Sequence, residues 1–164
     1  MLGNPRFALM LFAGLLCPLS GCAHGTRQSE LSFPQAKVET VEKFWPNGKL
    51  RLRRHVQRDP DGRLVDHGTC TQWYDNGQKK YEAVFVHGKI HGVETQWHKN
   101  GQKRVEQHYD HGLTHGPRYS WDQAGRKHKE EHYVKGKPAG TWTIWKKDGS
   151  IKWQRRYDHR DPGP

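Results

Sequence analysis

Four tryptophans, Trp73, Trp97, Trp121 and Trp145, stand 24 residues apart. Twelve residues after each comes another ring: Phe85, Tyr109, Tyr133 and Tyr157. Gly77, Gly101, Gly125 and Gly149 follow four residues behind the tryptophans, and Gly88, Gly112 and Gly136 fifteen behind. Gly92, Gly116 and Gly140 come nineteen behind. An earlier copy lies upstream, where Phe44-Trp-Pro-Asn-Gly48 matches Trp73-Tyr-Asp-Asn-Gly77 at a spacing of 29. About five residues are inserted between these two copies, and Arg58-Asp-Pro-Asp-Gly62 is the place for them. Five rings and five glycines in phase define five tiles. A fold built from such tiles buries its rings only by stacking neighbour on neighbour.

Each tile reads as a β-hairpin. Asn-Gly or Asp-Gly between alternating apolar runs is a strong hairpin signal, because glycine accepts the left-handed backbone that such turns require. Parity suggests the loop length. If Trp73 and Thr71 are to share a face with Tyr81, Ala83 and Phe85, the loop holds an odd number of residues. Asp75-Asn76-Gly77 with Gly77 at a bulge satisfies that condition. Gly88-Lys-Ile-His-Gly92 then returns the chain to the next tile. The expected fold is all-β: an elongated antiparallel meander of about five 24-residue hairpins in a single sheet. One face is expected to carry both ring ladders with Tyr81, Val105 and Trp153. The other is expected to carry Lys80, Glu82, Arg104, Glu106, His108, His128, Glu130, His132, Lys152 and Arg156.

Composition agrees with a thin fold. Only 32% of residues are hydrophobic and the mean hydropathy is −1.09, poor provision for a two-layer core. Seven tryptophans among 11% aromatic residues argue against disorder, which is depleted in rings. Burial must come from a few large side chains.

The N-terminus reads differently. Arg6 precedes an apolar run from Phe7 to Leu16, too short to span a membrane and suited to a signal-peptide core. Leu19-Ser-Gly-Cys22 resembles the lipobox of bacterial lipoproteins. That resemblance implies cleavage before Cys22 and acylation of its thiol and new amino group, with Ala23 directing the product to the outer membrane. The expected organisation is a signal peptide over 1–21, a polar spacer over 22–40, the repeats over 41–159 and a tail over 160–164. Losing residues 1–21 removes one unit, Arg6, from the formal charge of +11. It also removes Cys17, so that Cys22 is the anchor and Cys70 has no intramolecular partner.

The tile pattern itself (aromatic, Asn-Gly-Gln/Lys, aromatic, Gly, Gly) resembles the bacterial MORN-repeat-variant family, whose members are often labelled antitoxin-like repeat proteins. The resemblance runs from about residue 40 to 158. It implies a β-meander with a binding or scaffolding role and brings no catalytic residues with it. The first tile departs from the pattern by its insertion. The last departs at Arg160, which stands where glycine is expected, and both departures suit terminal caps.

Other chemistries find less support. Twelve histidines suggest metal, yet equivalent residues of neighbouring hairpins lie ~10 Å apart, too far to share one ion. Within one link His87 and His91, or His111 and His115, could approach each other, but two ligands without a cysteine make no site, so no metal or other cofactor is expected. Basic residues interleaved with rings suggest single-stranded nucleic acid, but rings turned inward cannot stack on bases, so no nucleic-acid partner is expected. Glu82, Glu106 and Glu130 recur as a ladder of solvated charges, and no nucleophile or phosphate-loop motif accompanies them, so no enzyme is expected. The sequence favours a lipid-anchored, outer-membrane protein of the cell envelope, periplasmic or surface-exposed. It would offer a non-catalytic surface to an envelope protein or to an anionic polymer or lipid head group. The alternative is an antitoxin-like or immunity protein that neutralises an exported toxin.

Overall fold

Glycine-punctuated alternation over 120 residues leaves the backbone one economical solution, hairpin after hairpin. The computed structural model describes residues 37–158. The expectations for the signal peptide, for Cys22 and for most of the spacer and the tail lie outside the described residues. The strands are β1 (Glu39–Phe44), β2 (Leu50–Arg58), β3 (Leu64–Trp73), β4 (Lys79–Val86), β5 (Lys89–Ile90), β6 (Gly92–Trp97), β7 (Lys103–Asp110), β8 (Leu113–Trp121), β9 (Lys127–Val134), β10 (Lys137–Trp145) and β11 (Ile151–Tyr157). All pair antiparallel in one sheet in chain order, with the short β5 lying against β4. The fold is therefore the expected all-β meander of hairpins.

Two turns alternate along it. At the first, the Tyr74 N–H donates to the Gln78 carbonyl and the Gly77 N–H to the Tyr74 carbonyl, both at 2.9 Å. This closes the three-residue loop Asp75–Gly77, with Gly77 at φ +91°. Gly48, Gly101, Gly125 and Gly149 hold the same position in their turns, all at positive φ. The second turn is tighter than expected. The chain reverses at His87-Gly88, His111-Gly112 and Lys135-Gly136, where both residues of each pair have positive φ, the mark of a two-residue type I′ turn. Lys89-Ile90 already belongs to the returning strand, pairing with Val86 and Phe85. Gly92 begins β6 rather than closing a loop.

The expected division of faces is overturned. Trp73 pairs with Lys79, but Gln72 pairs with Tyr81, so one extra residue of β4 is absorbed between the two pairs. The same shift follows Trp97, Trp121 and Trp145. An extra residue reverses parity for the remainder of the strand. Tyr81, Ala83 and Phe85 therefore align with Gln72, Cys70 and Gly68, while Trp73 and Thr71 share a face with Glu82. The Trp ladder and the Phe/Tyr ladder lie on opposite faces. Both are half-buried, apart from Tyr157, which is buried.

On the Phe/Tyr face one row crosses the sheet through Arg54, Cys70, Ala83, Glu94, Gln107, Arg118, Glu131, Trp142 and Arg155. After the half-buried Arg54 come the buried Cys70 and Ala83, beside the fully buried Val56. Its middle is polar and also buried: Glu94, Gln107 and Glu131, the last only 1% exposed. Arg118 Nη1 donates to Glu131 Oε2 at 2.8 Å. Lys129 Nζ and the Tyr133 hydroxyl reach the other carboxylate oxygen at 2.9 and 3.0 Å. Three donors offset the desolvation that a buried carboxylate would otherwise suffer. The row ends in rings, with Trp142 4.6 Å from Tyr157 and 5.2 Å from Tyr133.

Side-chain hydrogen bonds run between tiles along the first turns. Asn47, Asn76 and Asn100 each donate Nδ2 to a backbone carbonyl of the next turn, at 3.0, 2.9 and 2.7 Å. Beside them Trp45, Tyr74 and His98 each reach the carbonyl of the next tile's tryptophan, at 3.2, 2.8 and 2.9 Å. Both series stop at the fourth tile, where Ala124 occupies the asparagine position and Asp122 bonds within its own turn.

Asn100→Ala is expected to lower stability by about 1 kcal/mol, the ordinary net worth of one hydrogen bond. Ala124→Asn, which extends the series by one rung, is expected to raise it by a few tenths to about 1 kcal/mol; urea denaturation reads both. The polar row adds a pH dependence. Burial, then the neighbouring Glu131 carboxylate, pushes the Tyr133 phenol up to about 12, and burial with Glu94 does the same for Tyr109. The folded state thus holds these protons more tightly than the unfolded chain, whose phenols titrate near ~10. Their contribution to stability is complete below that value and is lost as pH climbs towards 12. The denaturation midpoint should fall across this alkaline range, less steeply in Tyr133→Phe. A flat profile would contradict the assignment.

Candidate functional site

Three regions carry chemistry beyond the framework. The first is the tryptophan face. Lys79, Lys103 and Lys127 bind Glu82, Glu106 and Glu130 of their own strands at 2.6, 2.5 and 2.7 Å. Each ammonium also lies over the tryptophan of the following tile, 5.7, 5.9 and 4.9 Å from the ring centres of Trp97, Trp121 and Trp145. A lysine so placed joins two tiles, at about 0.5–1 kcal/mol for the ring contact and ~0.2–1 kcal/mol for the exposed ion pair. The Lys127 hydrogen bond, helped by His132, holds the Glu130 carboxyl below its ordinary range despite some desolvation. These lysines and glutamates neutralise one another. They stitch tiles together and leave little charge for a ligand.

The second region is the last hairpin, where the clasp is missing. Ile151 stands where Lys79, Lys103 and Lys127 stand in earlier tiles, and Gln154 replaces the glutamate. Between residues 135 and 158 there are seven basic residues and two aspartates, a surplus of five charges and nearly half of the chain's +11. Of the seven, only Arg156 has an ion pair, with Asp158; Lys146, Lys147 and Lys152 have no carboxylate partner among the described residues. Ile151 is 53% and Trp153 39% exposed on this edge strand. Lys129, Trp142, Ile144, Lys152, Trp153 and Tyr157 line an open hollow of about 390 Å³. Lys152, expected on the charged face, thus borders the Phe/Tyr face; Arg104, at the equivalent bulge, hydrogen-bonds Gln96 there.

The third region is the edge of second turns. Equivalent histidines lie far apart, as sequence spacing implies, but non-equivalent ones meet. The backbone N–H groups of Gly88 and Gly112 reach Asp66 and Ile90, at the start of their own tiles, at 2.8 Å. This seats each turn against the start of the strand before it. His67 and His87 are brought to 5.0 Å between ring centres, and His91 and His111 to 4.9 Å. Asp110 stands beside the second pair, 2.5 Å from His111 Nδ1 and 3.6 Å from His91 Nδ1. The relevant spacing is 20 residues and not 24, a signal present in the sequence that a search at the repeat period passes over.

The ring ladders named from sequence are framework, now divided between two faces, and the turn glycines hold the conformation their turns require. Cys70 is buried, and burial pushes its thiol up, which suits an inert core residue. Glu94, Gln107 and Glu131 were not singled out from sequence. Gln107 and Glu131 are the equivalents of Ala83, and Glu94 pairs with Gln107 across the hairpin, a placement that requires the bulge.

Comparison with known proteins agrees with this architecture. The family model for MORN repeat variants matches residues 66–87 and 90–111, the stretches that run from β3 through β4 and from β5 through β7. No curated protein and no solved structure matches the chain.

Proposed function

We propose that this chain is a lipid-anchored, non-catalytic binding protein of the cell envelope, held to the outer membrane at Cys22, and that its last hairpin binds an anionic envelope component. The observation that carries this reading is the surplus of basic residues on β10 and β11 and on their connecting turn, beside an apolar hollow bordered by Trp142 and Trp153. Elsewhere on the tryptophan face lysines are matched by glutamates; here Ile151 and Gln154 replace both partners, while Lys146, Lys147 and Lys152 have no carboxylate partner among the described residues. A surplus of basic residues on a hairpin that also exposes Trp153 suits a polymer or head group that presents phosphates or carboxylates on an apolar or sugar body. The lipobox-like Leu19-Ser-Gly-Cys22 supports the compartment in which such a ligand is met.

Two measurements test this. Cys22→Ala should leave a precursor of unprocessed mass without acyl chains; unchanged mass and membrane fractionation would exclude the anchor. For the binding surface, the full lipidated chain is held in neutral phosphatidylcholine vesicles and titrated with soluble lipopolysaccharide. Raising salt from low to physiological strength should weaken capture. Reversing Lys146, Lys147 and Lys152 together to Glu should weaken it by about 100-fold or more, at ~1 kcal/mol per lysine. Capture that is indifferent to salt and to these substitutions would overturn the electrostatic reading and favour a protein partner, an exported toxin included.

A further inference from the structure

We propose that His91, Asp110 and His111 form a binding site for a divalent first-row transition-metal ion, zinc or copper(II). The inference is independent of the last hairpin and its ligand. The two imidazoles and the carboxylate come from the two ends of one tile, His91 from just before β6 and Asp110-His111 from the end of β7 and its turn. One donor atom from each residue lies within 4.8 Å of the other two. A tetrahedral ion with bonds of ~2.0–2.1 Å needs its donors ~3.3 Å apart. The Asp110 oxygen stands 3.6 Å from His91 Nδ1 and 2.5 Å from His111 Nδ1, on either side of that requirement. All three side chains are exposed, so small rotations about their side-chain bonds bring the imidazoles together without moving the sheet.

The donor set selects the ion. Two neutral imidazoles and one carboxylate favour borderline ions over calcium or magnesium, which prefer oxygen. Three protein ligands leave at least one coordination position open to solvent, where water or a partner's donor can bind. Neighbouring links act as internal controls, because the fold repeats while the chemistry does not. One tile earlier His67 and His87 also meet, but Val86 stands where Asp110 does, and Gln57 occupies His87 Nδ1 at 2.7 Å. One tile later His115 is followed by Lys135 in place of His111, with Val134 in place of the aspartate. Among the described residues only the middle link gathers three donors. A bound ion would pin the second turn at His111-Gly112 to the segment that enters β6 at His91.

The test is calorimetric titration of the full chain, solubilised in detergent, with Zn²⁺ alone and then with Cu²⁺ alone. One saturable equivalent of each is expected, copper the tighter, accompanied by a rise in melting temperature. His91→Gln, Asp110→Asn and His111→Asn should each weaken binding at least tenfold. Asparagine is chosen at 111 because it tolerates the left-handed backbone found there, φ +49°. Metal-free melting curves that match the parent confirm that each variant is folded. His67→Gln should leave the affinity unchanged. Absence of a saturable equivalent, or one that survives His91→Gln and His111→Asn but is lost in His67→Gln, would overturn the assignment.

Discussion

The structure depends on one extra residue per hairpin. Opposite each tryptophan the return strand takes up a residue more than its partner, and from that point its side chains change face. Without it, both ring ladders would crowd one side of a single sheet and leave the other to charge alone. With it, rings stand on both faces, and each face gains partners from the next tile. The lysine just before the bulge stays on the tryptophan face, binds a glutamate of its own strand and covers the next tile's tryptophan. The residue just after it turns to the opposite side, as Arg104 does towards Gln96. The bulge decides which side chains hold tile to tile and which border the polar row.

That dependence explains what the sequence reveals and what it conceals. The tile, its period and the first turn are legible because they need glycine: a three-residue loop requires a left-handed residue at Gly77, and few others accept that conformation without strain. The bulge needs no special residue. Lys79-Lys80, Lys103-Arg104, Lys127-His128 and Ile151-Lys152 all accommodate it, so no residue type marks it, and a parity argument that counts only the loop goes wrong by one. The second turn is hidden for a related reason. His87, His111 and Lys135 adopt positive φ where asparagine or glycine would announce a type I′ turn. The Lys146–Ser150 turn and the surplus of charge around it are plain in the sequence, but the hollow beside Trp142 is not. Trp142 sits off the tryptophan period, in a row whose earlier members are Cys70, Glu94 and Arg118.

The central row shows how such a sheet tolerates polarity. Ala83, Gln107 and Glu131 are equivalent positions, and all three are buried. An alanine there needs nothing. A glutamate needs donors, and it finds Arg118 on the neighbouring strand and Lys129 and Tyr133 on its own. Pairing a buried carboxylate so fully makes it costly to disturb while contributing little net stability. In an array of near-identical hairpins, a slip of one tile would otherwise preserve most contacts. Distinct occupants along one row make a slipped register unfavourable.

The same divergence separates framework from function. A sheet in which each hairpin touches only its neighbours can change one tile at a local cost, because the energies are nearest-neighbour sums. The middle tiles keep the Lys–Glu–Trp clasp, and there variation appears at the turn edge, where Asp110 joins His91 and His111. The last tile has one neighbour and an open edge strand. It has Gln154 in place of the clasp's glutamate, Ile151 in place of its lysine, and a surplus of basic residues. Losing a clasp there breaks no junction, since among the described residues β11 is the last strand of the sheet. Side chains that bind something outside the sheet are best placed where the sheet no longer needs them.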